Sequence, residues 1–349
     1  MGVEAGHRHG DSQPGRCVRR AARRGDSVGR RGRSVLRLTP ASRRGRPLCR
    51  PLPSAIGARI LTPGRSLALH AESGRELPRV EAFEALYNIG CRPRHGEVVM
   101  IAGRSGTQKS GLALFWVAQM NLPTLYFSAD MSAFTASSRL ASMATGDTTE
   151  MVEAGMAAGG RYRETYLNAV SGSRITFSFG SPITWKAVDE ELEAWVELWD
   201  DYPAIIVFDN LMDFEGAESD YTEQMAVMSS ATELARATGA TVILLHHASD
   251  KSWEAKSDPW APPSRDQVKG GLSEKPELSL SVALDPNSLE YRVAVIKQRM
   301  GPCDPTARRY ATLRCHPEVT RFSKLERLAP LNQNPAAQWS PLDALKKAA

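Results

Sequence analysis

The sequence has no apolar run near the ~18 residues that a membrane-spanning helix requires. Its strongest runs, 204–208 (AIIVF) and 241–245 (TVILL), are strand-sized, which excludes a protein that spans a membrane by helices. Cysteine is scarce: Cys17, Cys49, Cys91, Cys303 and Cys315 are scattered, odd in number and free of any C-x-x-C pair. Neither a zinc ribbon nor a disulfide framework is indicated, and a reducing compartment fits. Lysine is missing from the first fifty residues, which hold 14 Arg against three acids, Glu4, Asp11 and Asp26. That segment carries +11, so the remaining 299 residues carry −6 within the whole chain's +5. Rich in Arg, Gly, Pro and Ser and without hydrophobic periodicity, 1–75 reads as a disordered arm. Three readings of the arm stand open: a nucleic-acid-binding tail, an organellar transit peptide, or a stretch ahead of a start site that lies downstream. No apolar segment follows Arg19-Arg20, so the pair is not a twin-arginine export signal.

With 349 residues and 42% hydrophobic content, the chain can bury a sizeable core. From about residue 80, short apolar runs alternate with amphipathic stretches. The pattern predicts strands at 97–102, 124–129, 174–179, 204–209 and 241–246, and helices at 109–120, 132–144, 184–200 and 221–238. Such alternation implies an α/β fold with a mostly parallel, helix-covered central sheet. After 278 only strands follow, at 278–284, 291–299, 308–314 and 319–325, read as two hairpins extending one edge. The chain therefore divides into the arm, an enzyme-sized domain over 76–329 and a Pro- and Ala-rich flexible tail over 330–349.

The run EVVMIAG leads directly into GRSGTQKSG (103–111) and then into the helix-like LALFWVAQM. A strand, a glycine-rich turn and a helix N-terminus together place backbone N–H groups around a phosphate. Gly103, Arg104, Ser105, Gly106, Thr107, Gln108, Lys109, Ser110 and Gly111 form that candidate phosphate loop, with Lys109 for the terminal phosphates and the Ser110 hydroxyl for Mg²⁺. ATP with Mg²⁺ is the expected cofactor. The pattern G-x-x-x-x-G-K-[ST] is missed at one position, Gln108. If the backbone there needs positive φ, nucleotide affinity suffers; if not, the amide that cradles phosphate survives.

In YPAIIVFDN (202–210), Asp209 stands at the carboxyl end of a buried strand, where an acid can hold the Mg²⁺ shell. Asp213 nearby reads as a loop acid. Asp130 follows the second strand, as a base for the attacking water or equally as the N-cap of the helix from 132. His246 and His247 end the strand 241–246, where a group can sense the terminal phosphate.

Taken in order, GEVVMIAGRSGTQKSGLAL, YFSADMSAFTASSRLASMATG, IIVFDNLMDF, VILLHHAS, VAVIKQRMGP and the closing TRF resemble the motor domain of DnaB-type replicative helicases, over roughly 80–326. The resemblance implies a compact phage- or plasmid-like version of a RecA-like P-loop NTPase: a cytoplasmic, hexameric DNA helicase that hydrolyses ATP while moving on single-stranded DNA in replication. It assigns Lys109 and Ser110 to phosphate and Mg²⁺ and Asp209 to the Mg²⁺ shell. It makes Asp130 the counterpart of the family's catalytic glutamate and His247 that of a glutamine coupling the terminal phosphate to DNA loops. Lys297 and Arg299 match a pair that reaches into the neighbouring subunit's site as an arginine finger. Gln108 and the short acid Asp130 depart from the family and imply slow turnover. The family's N-terminal helical domain is not recognisable in 1–75, which leaves partnership with a primase or loader without a signal.

The segment 249–271 is long, Pro-containing and without apolar periodicity. Lys251, Lys256, Arg265 and Lys269 are candidate contacts to DNA phosphates there, with Trp253 and Trp260 as stacking groups. The acids Asp250, Glu254, Asp258, Asp266 and Glu274 lie within or beside it, so it is not a plain basic patch. Two further readings share the phosphate loop: a RecA/RadA-like recombination ATPase, and a nucleotide-gated DNA-binding module with little turnover.

Overall fold

Runs that are apolar on both faces become strands buried on both faces. Val98–Gly103 (β1), Thr124–Ser128 (β2) and Ile205–Asp209 (β4) are buried at every position, and Thr241–His247 (β5) at all but its last. Ile175–Ser178 (β3), shorter and partly exposed, is an edge strand. Leu278–Leu284 (β6), Glu290–Gln298 (β7), Tyr310–His316 (β8) and Arg321–Lys324 (β9) complete a nine-stranded sheet of order β3-β2-β4-β5-β1-β6-β7-β8-β9. All pairings from β3 to β6 are parallel, and those from β6 to β9 antiparallel. β6 thus closes the parallel part against β1, and β7 to β9 form the edge extension. This computed structural model describes residues 76–218, 220–249 and 258–325 together with Gly64, and it leaves the side chain of Lys269 aside. The expected arm (1–75) and tail (330–349) lie outside the described residues, apart from Gly64.

Helices cover both faces. On one face lie Glu84–Asn88 (α1), Lys109–Met120 (α2) and Ala133–Thr145 (α3), packed on Val99, Ile101, Val207, Ile243 and Leu245. On the other lie Trp185–Trp199 (α6) and Tyr221–Thr238 (α7), packed on Val98, Met100, Ile206, Val242 and Leu244. The odd-and-even split follows from the two-residue period of a strand. α2 is apolar almost all round because it is enclosed: Phe115 and Trp116 meet Phe83, and Phe115 meets Phe322 of β9.

Besides the short α1, two helices have no counterpart in the periodicity of the sequence, Thr149–Ala158 (α4) and Gly160–Val170 (α5). They form a helical pair between α3 and β3, with only Val152 and Tyr166 buried, so neither shows a broad apolar stripe. The segment 249–271, read as a long Pro-containing loop, is organised by turns in its described second part. Short 3₁₀ turns occupy Arg265–Gln267 and Lys269–Glu274, and Val268 bridges back to Ala248 at the end of β5.

Candidate active site

The carboxyl ends of β1, β4 and β5 converge, and the loop Arg104–Gln108 crosses above them into α2. Gly103 cannot carry a side chain: a Cβ there would lie 2.7 Å from Val282 Cγ2 and 2.8 Å from Thr107 Oγ1. Gly106 turns the loop at φ +73°, a value that suits glycine. Thr107 ties the loop by donating its hydroxyl to the Arg104 carbonyl at 2.8 Å. Lys109 is 8% exposed and donates its ammonium to the carbonyls of Gly103 (3.1 Å) and Arg104 (2.9 Å). The first N–H groups of α2 have no partner within the helix, and they and the lysine face the same loop, a donor set suited to phosphate oxygens.

Gln108 takes the first of its two alternatives. It sits at φ +56°, ψ +33°, the left-handed region, as the residue preceding α2. Ser105 is exposed at the loop tip, whereas Arg104 is partly buried and points its guanidinium toward the Ala261 carbonyl, 3.4 Å away.

Asp209 is 2% exposed and holds two hydrogen bonds: Ser110 Oγ donates to Oδ1 at 2.9 Å, and the Tyr126 hydroxyl donates to Oδ2 at 2.8 Å. Burial pushes its carboxyl up, and the two donors oppose that shift. Because Ser110 gives its proton to Asp209, its lone pairs remain available to a cation. An oxygen set of one hydroxyl and one carboxylate, completed by phosphate and water, fits Mg²⁺. Among the described residues, no group of three or more His, Cys, Asp or Glu side chains is placed to hold a metal by itself.

The turn after β4 is capped by Asn210, whose side chain accepts from Met212 N at 2.8 Å, so Asp209 is not spent on capping. The helix after β2 is capped by Ser132, which accepts from Thr135 N at 3.1 Å. Asp130 is therefore not the cap of α3, and it lies exposed beside Asp213. Asp213, read as a loop acid, is more than that. It accepts from Asn210 N at 2.8 Å, and burial first, then the neighbouring Asp130, pushes its carboxyl up to about 6. Tyr126 was missed because an aromatic inside an apolar strand reads as core; the proximity of Asp213 to Asp130 left no signal because the two are distant in sequence.

Strand alternation separates the two histidines. His246 is fully buried on the α6/α7 face, whereas His247, opposite Gly103, belongs to the α2 face that carries Lys109 and Asp209. Lys297 and Arg299 stand elsewhere. Lys297 is paired with Ser279, and Arg299 N donates to Glu277 O, which is level with Val98 at the amino end of β1. The rise along β1 separates that level from Gly103 by ~16 Å. Lys297 donates to the carbonyls of Glu274 and Pro276, and burial, then the Arg299 cation, pushes it down to about 8. Arg299 is half-exposed, donating to Lys275 O at 3.3 Å and lying 4.0 Å from Glu277 Oε1.

Of the candidate DNA contacts, Arg265 is ion-paired with Glu274 at 3.2 Å and Trp260 is exposed. Asp258 is engaged by Arg292 at 2.5 Å. Lys251, Trp253, Lys256, Asp250 and Glu254, and the side chain of Lys269, lie outside the described residues.

The chain is 29% identical over 263 residues to the Gene 65 protein of Mycobacterium phage L5, covering 73% of this chain and 95% of that relative. Its fold is similar to a DnaB-like replicative helicase whose structure was solved in a study of its interactions with primase. The TM-score is 0.62 at 17% identity, over 75% of this chain and 66% of that one. The ATPase domain of G40P is similar to the same degree, with TM-score 0.62 at 16% identity, over 75% of this chain and 96% of that domain. The family model described as an AAA domain matches residues 65–252. The chain belongs to that AAA domain family, as an ATP-hydrolysing P-loop NTPase with the RecA-like fold of DnaB-type motor domains.

Proposed function

We propose that the protein is a replicative DNA helicase that moves on single-stranded DNA and hydrolyses ATP at sites completed by a neighbouring subunit. In this reading 76–329 is the motor domain. The loop Gly103–Ser110 holds the phosphates, Ser110 and Asp209 hold Mg²⁺, and Asp130 takes the proton of the attacking water. His247 senses the terminal phosphate. Bound Mg²⁺ supplies charge neutralisation at the phosphates.

One observation carries the reading. Lys297 and Arg299 lie at the amino end of the sheet, and the phosphate loop at the carboxyl end. Cations ~10 Å (Lys297) and ~16 Å (Arg299) along the strands from their own loop are of no use to that loop, but in a ring of identical subunits they can face the next one. An arginine supplied across an interface accelerates phosphoryl transfer by about 10³ to 10⁵. Single-stranded DNA is expected to run along the segment between Ala248 and Val268, whose ends are pinned beside β5. A partner of the primase class is a further expectation, drawn from the solved DnaB-like structure.

The test is ATP hydrolysis by the full-length protein, with and without single-stranded DNA, across a range of protein concentrations. Stimulation by DNA that rises steeply with concentration is expected. Arg299→Ala should lose hydrolysis by about 10³-fold or more while retaining nucleotide binding. Loss of binding with an unchanged saturated rate would sink the shared-site assignment.

A further inference from the structure

The acid at the end of β4 is held from a direction that neither the phosphate loop nor its own strand supplies. β2 lies beside β4 in parallel register, Tyr126 opposite Val207 and Ser128 opposite Asp209. Tyr126 is fully buried, its ring 5.4 Å from that of Phe177, and its hydroxyl donates to Asp209 Oδ2 at 2.8 Å. The other carboxylate oxygen, Oδ1, accepts from Ser110 at 2.9 Å. An aspartate's terminal torsion is broad and about two-fold, so one hydrogen bond leaves the carboxylate plane free to turn. Two donors from different elements, one on each oxygen, remove that freedom.

The geometry points to Tyr126 as a positioning residue of the metal site: its hydroxyl fixes the plane of the Asp209 carboxylate so that Ser110 and Asp209 face the cation together. This rests on the assignment of Ser110 and Asp209 to nucleotide-bound Mg²⁺. Partners of this kind orient a metal's ligands without touching the metal, and their loss commonly costs 10- to 100-fold in metal affinity, roughly. The donor is a hydroxyl held on a buried carboxylate by the strand pairing of β2 with β4.

The experiment compares full-length wild type, Tyr126→Phe and Phe177→Leu by calorimetric titration with ADP, once with Mg²⁺ and once with a chelator. Wild type should bind ADP more tightly with Mg²⁺. Tyr126→Phe should lose about ten-fold or more of that metal-dependent gain and keep its metal-free affinity within about two-fold. Phe177→Leu, which alters the packing of the ring and spares the hydroxyl, should keep the gain. An undiminished gain in Tyr126→Phe overturns the proposal. So does an equal loss with and without Mg²⁺, a loss shared by Phe177→Leu, or a Tyr126→Phe protein that fails to fold, since each assigns Tyr126 to packing or stability. A wild type that gains nothing from Mg²⁺ removes the site reading itself and the proposal with it, a result distinct from any difference between the variants.

Discussion

Gln108 occupies a left-handed backbone that costs a residue with a Cβ ~1–2 kcal/mol, and the neighbouring side of α2 has made room for it. At Gly111 a Cβ would lie 2.9 Å from Gln108 Oε1 and 3.2 Å from Thr320 Cγ2. Gly111→Ala sets ~1 kcal/mol of helix propensity against displacement of the flexible Gln108 amide and a tight approach to the Thr320 methyl, so it is expected to change stability by less than ~1 kcal/mol, and to be more favourable when Gln108→Gly has removed the amide. Thermal unfolding of wild type, both single variants and the double variant checks this; additive shifts would show that the two positions do not meet. Asp213 makes a second residue-scale case. Its folded value of about 6 lies above the ordinary 3.8, so the native state keeps a proton that the unfolded chain has released in that window. Stability present at low pH is lost as pH rises through about 6. Asp213→Asn, which can still accept from Asn210 N, should raise the thermal midpoint at pH 7.5 by roughly 2–4 °C and leave it near wild type at pH 4.

Among the elements, the helical pair α4–α5 buries few side chains, chiefly Val152 and Tyr166 in a small cluster with Ala141 of α3. The Tyr166 hydroxyl donates to Asp147 Oδ2 at 2.9 Å, and a Cβ at Gly155 would fall 2.4 Å from Tyr166 Cε2. Gly155→Ala gains helix propensity of ~1 kcal/mol but drives a methyl into the ring. Hydrogen exchange should accelerate across α4 and α5 and stay unchanged in β1, β4 and β5, with ADP affinity preserved. Acceleration spread through the central sheet would show that the pair supports the whole domain. Its place between β2 and β3, away from the carboxyl ends of β1 and β5, is what allows it to loosen alone.

At the scale of the whole molecule the phosphate loop and the KQR strand end occupy opposite ends of one sheet, and the proposal that a second copy completes the site is tested by complementation. Lys109→Ala and Arg299→Ala should each be inactive alone, the first for want of a phosphate ligand and the second for want of the cation offered to its neighbour. Mixed in equal amounts, they should regain hydrolysis, because some interfaces then combine an intact loop with an intact Arg299. A mixture as inactive as its components would mean that each chain needs both residues itself. In the proposed ring the same geometry is the structural cause of the expected steep dependence on protein concentration.

Much of this arrangement was legible in the chain itself. The strands and helices flanking the loop follow from apolar runs and helical spacing, and the GRSGTQKSG turn, Asp209 at a strand end and the KQR strand are all local patterns read over a few residues. The polar pair α4–α5 escaped because it buries too little to leave a stripe. Tertiary structure alone decided the rest. Gln108 takes positive φ because α2 and the loop meet there; Tyr126 reaches Asp209 because β2 pairs with β4 in one register. His247 and not His246 lies on the α2 side of the sheet because a strand alternates, and Lys297 and Arg299 end opposite the site because β7 runs antiparallel to β6. Each of these depends on which distant segments pair and in what register, and pairing is a property of the packed sheet that no short stretch of sequence contains.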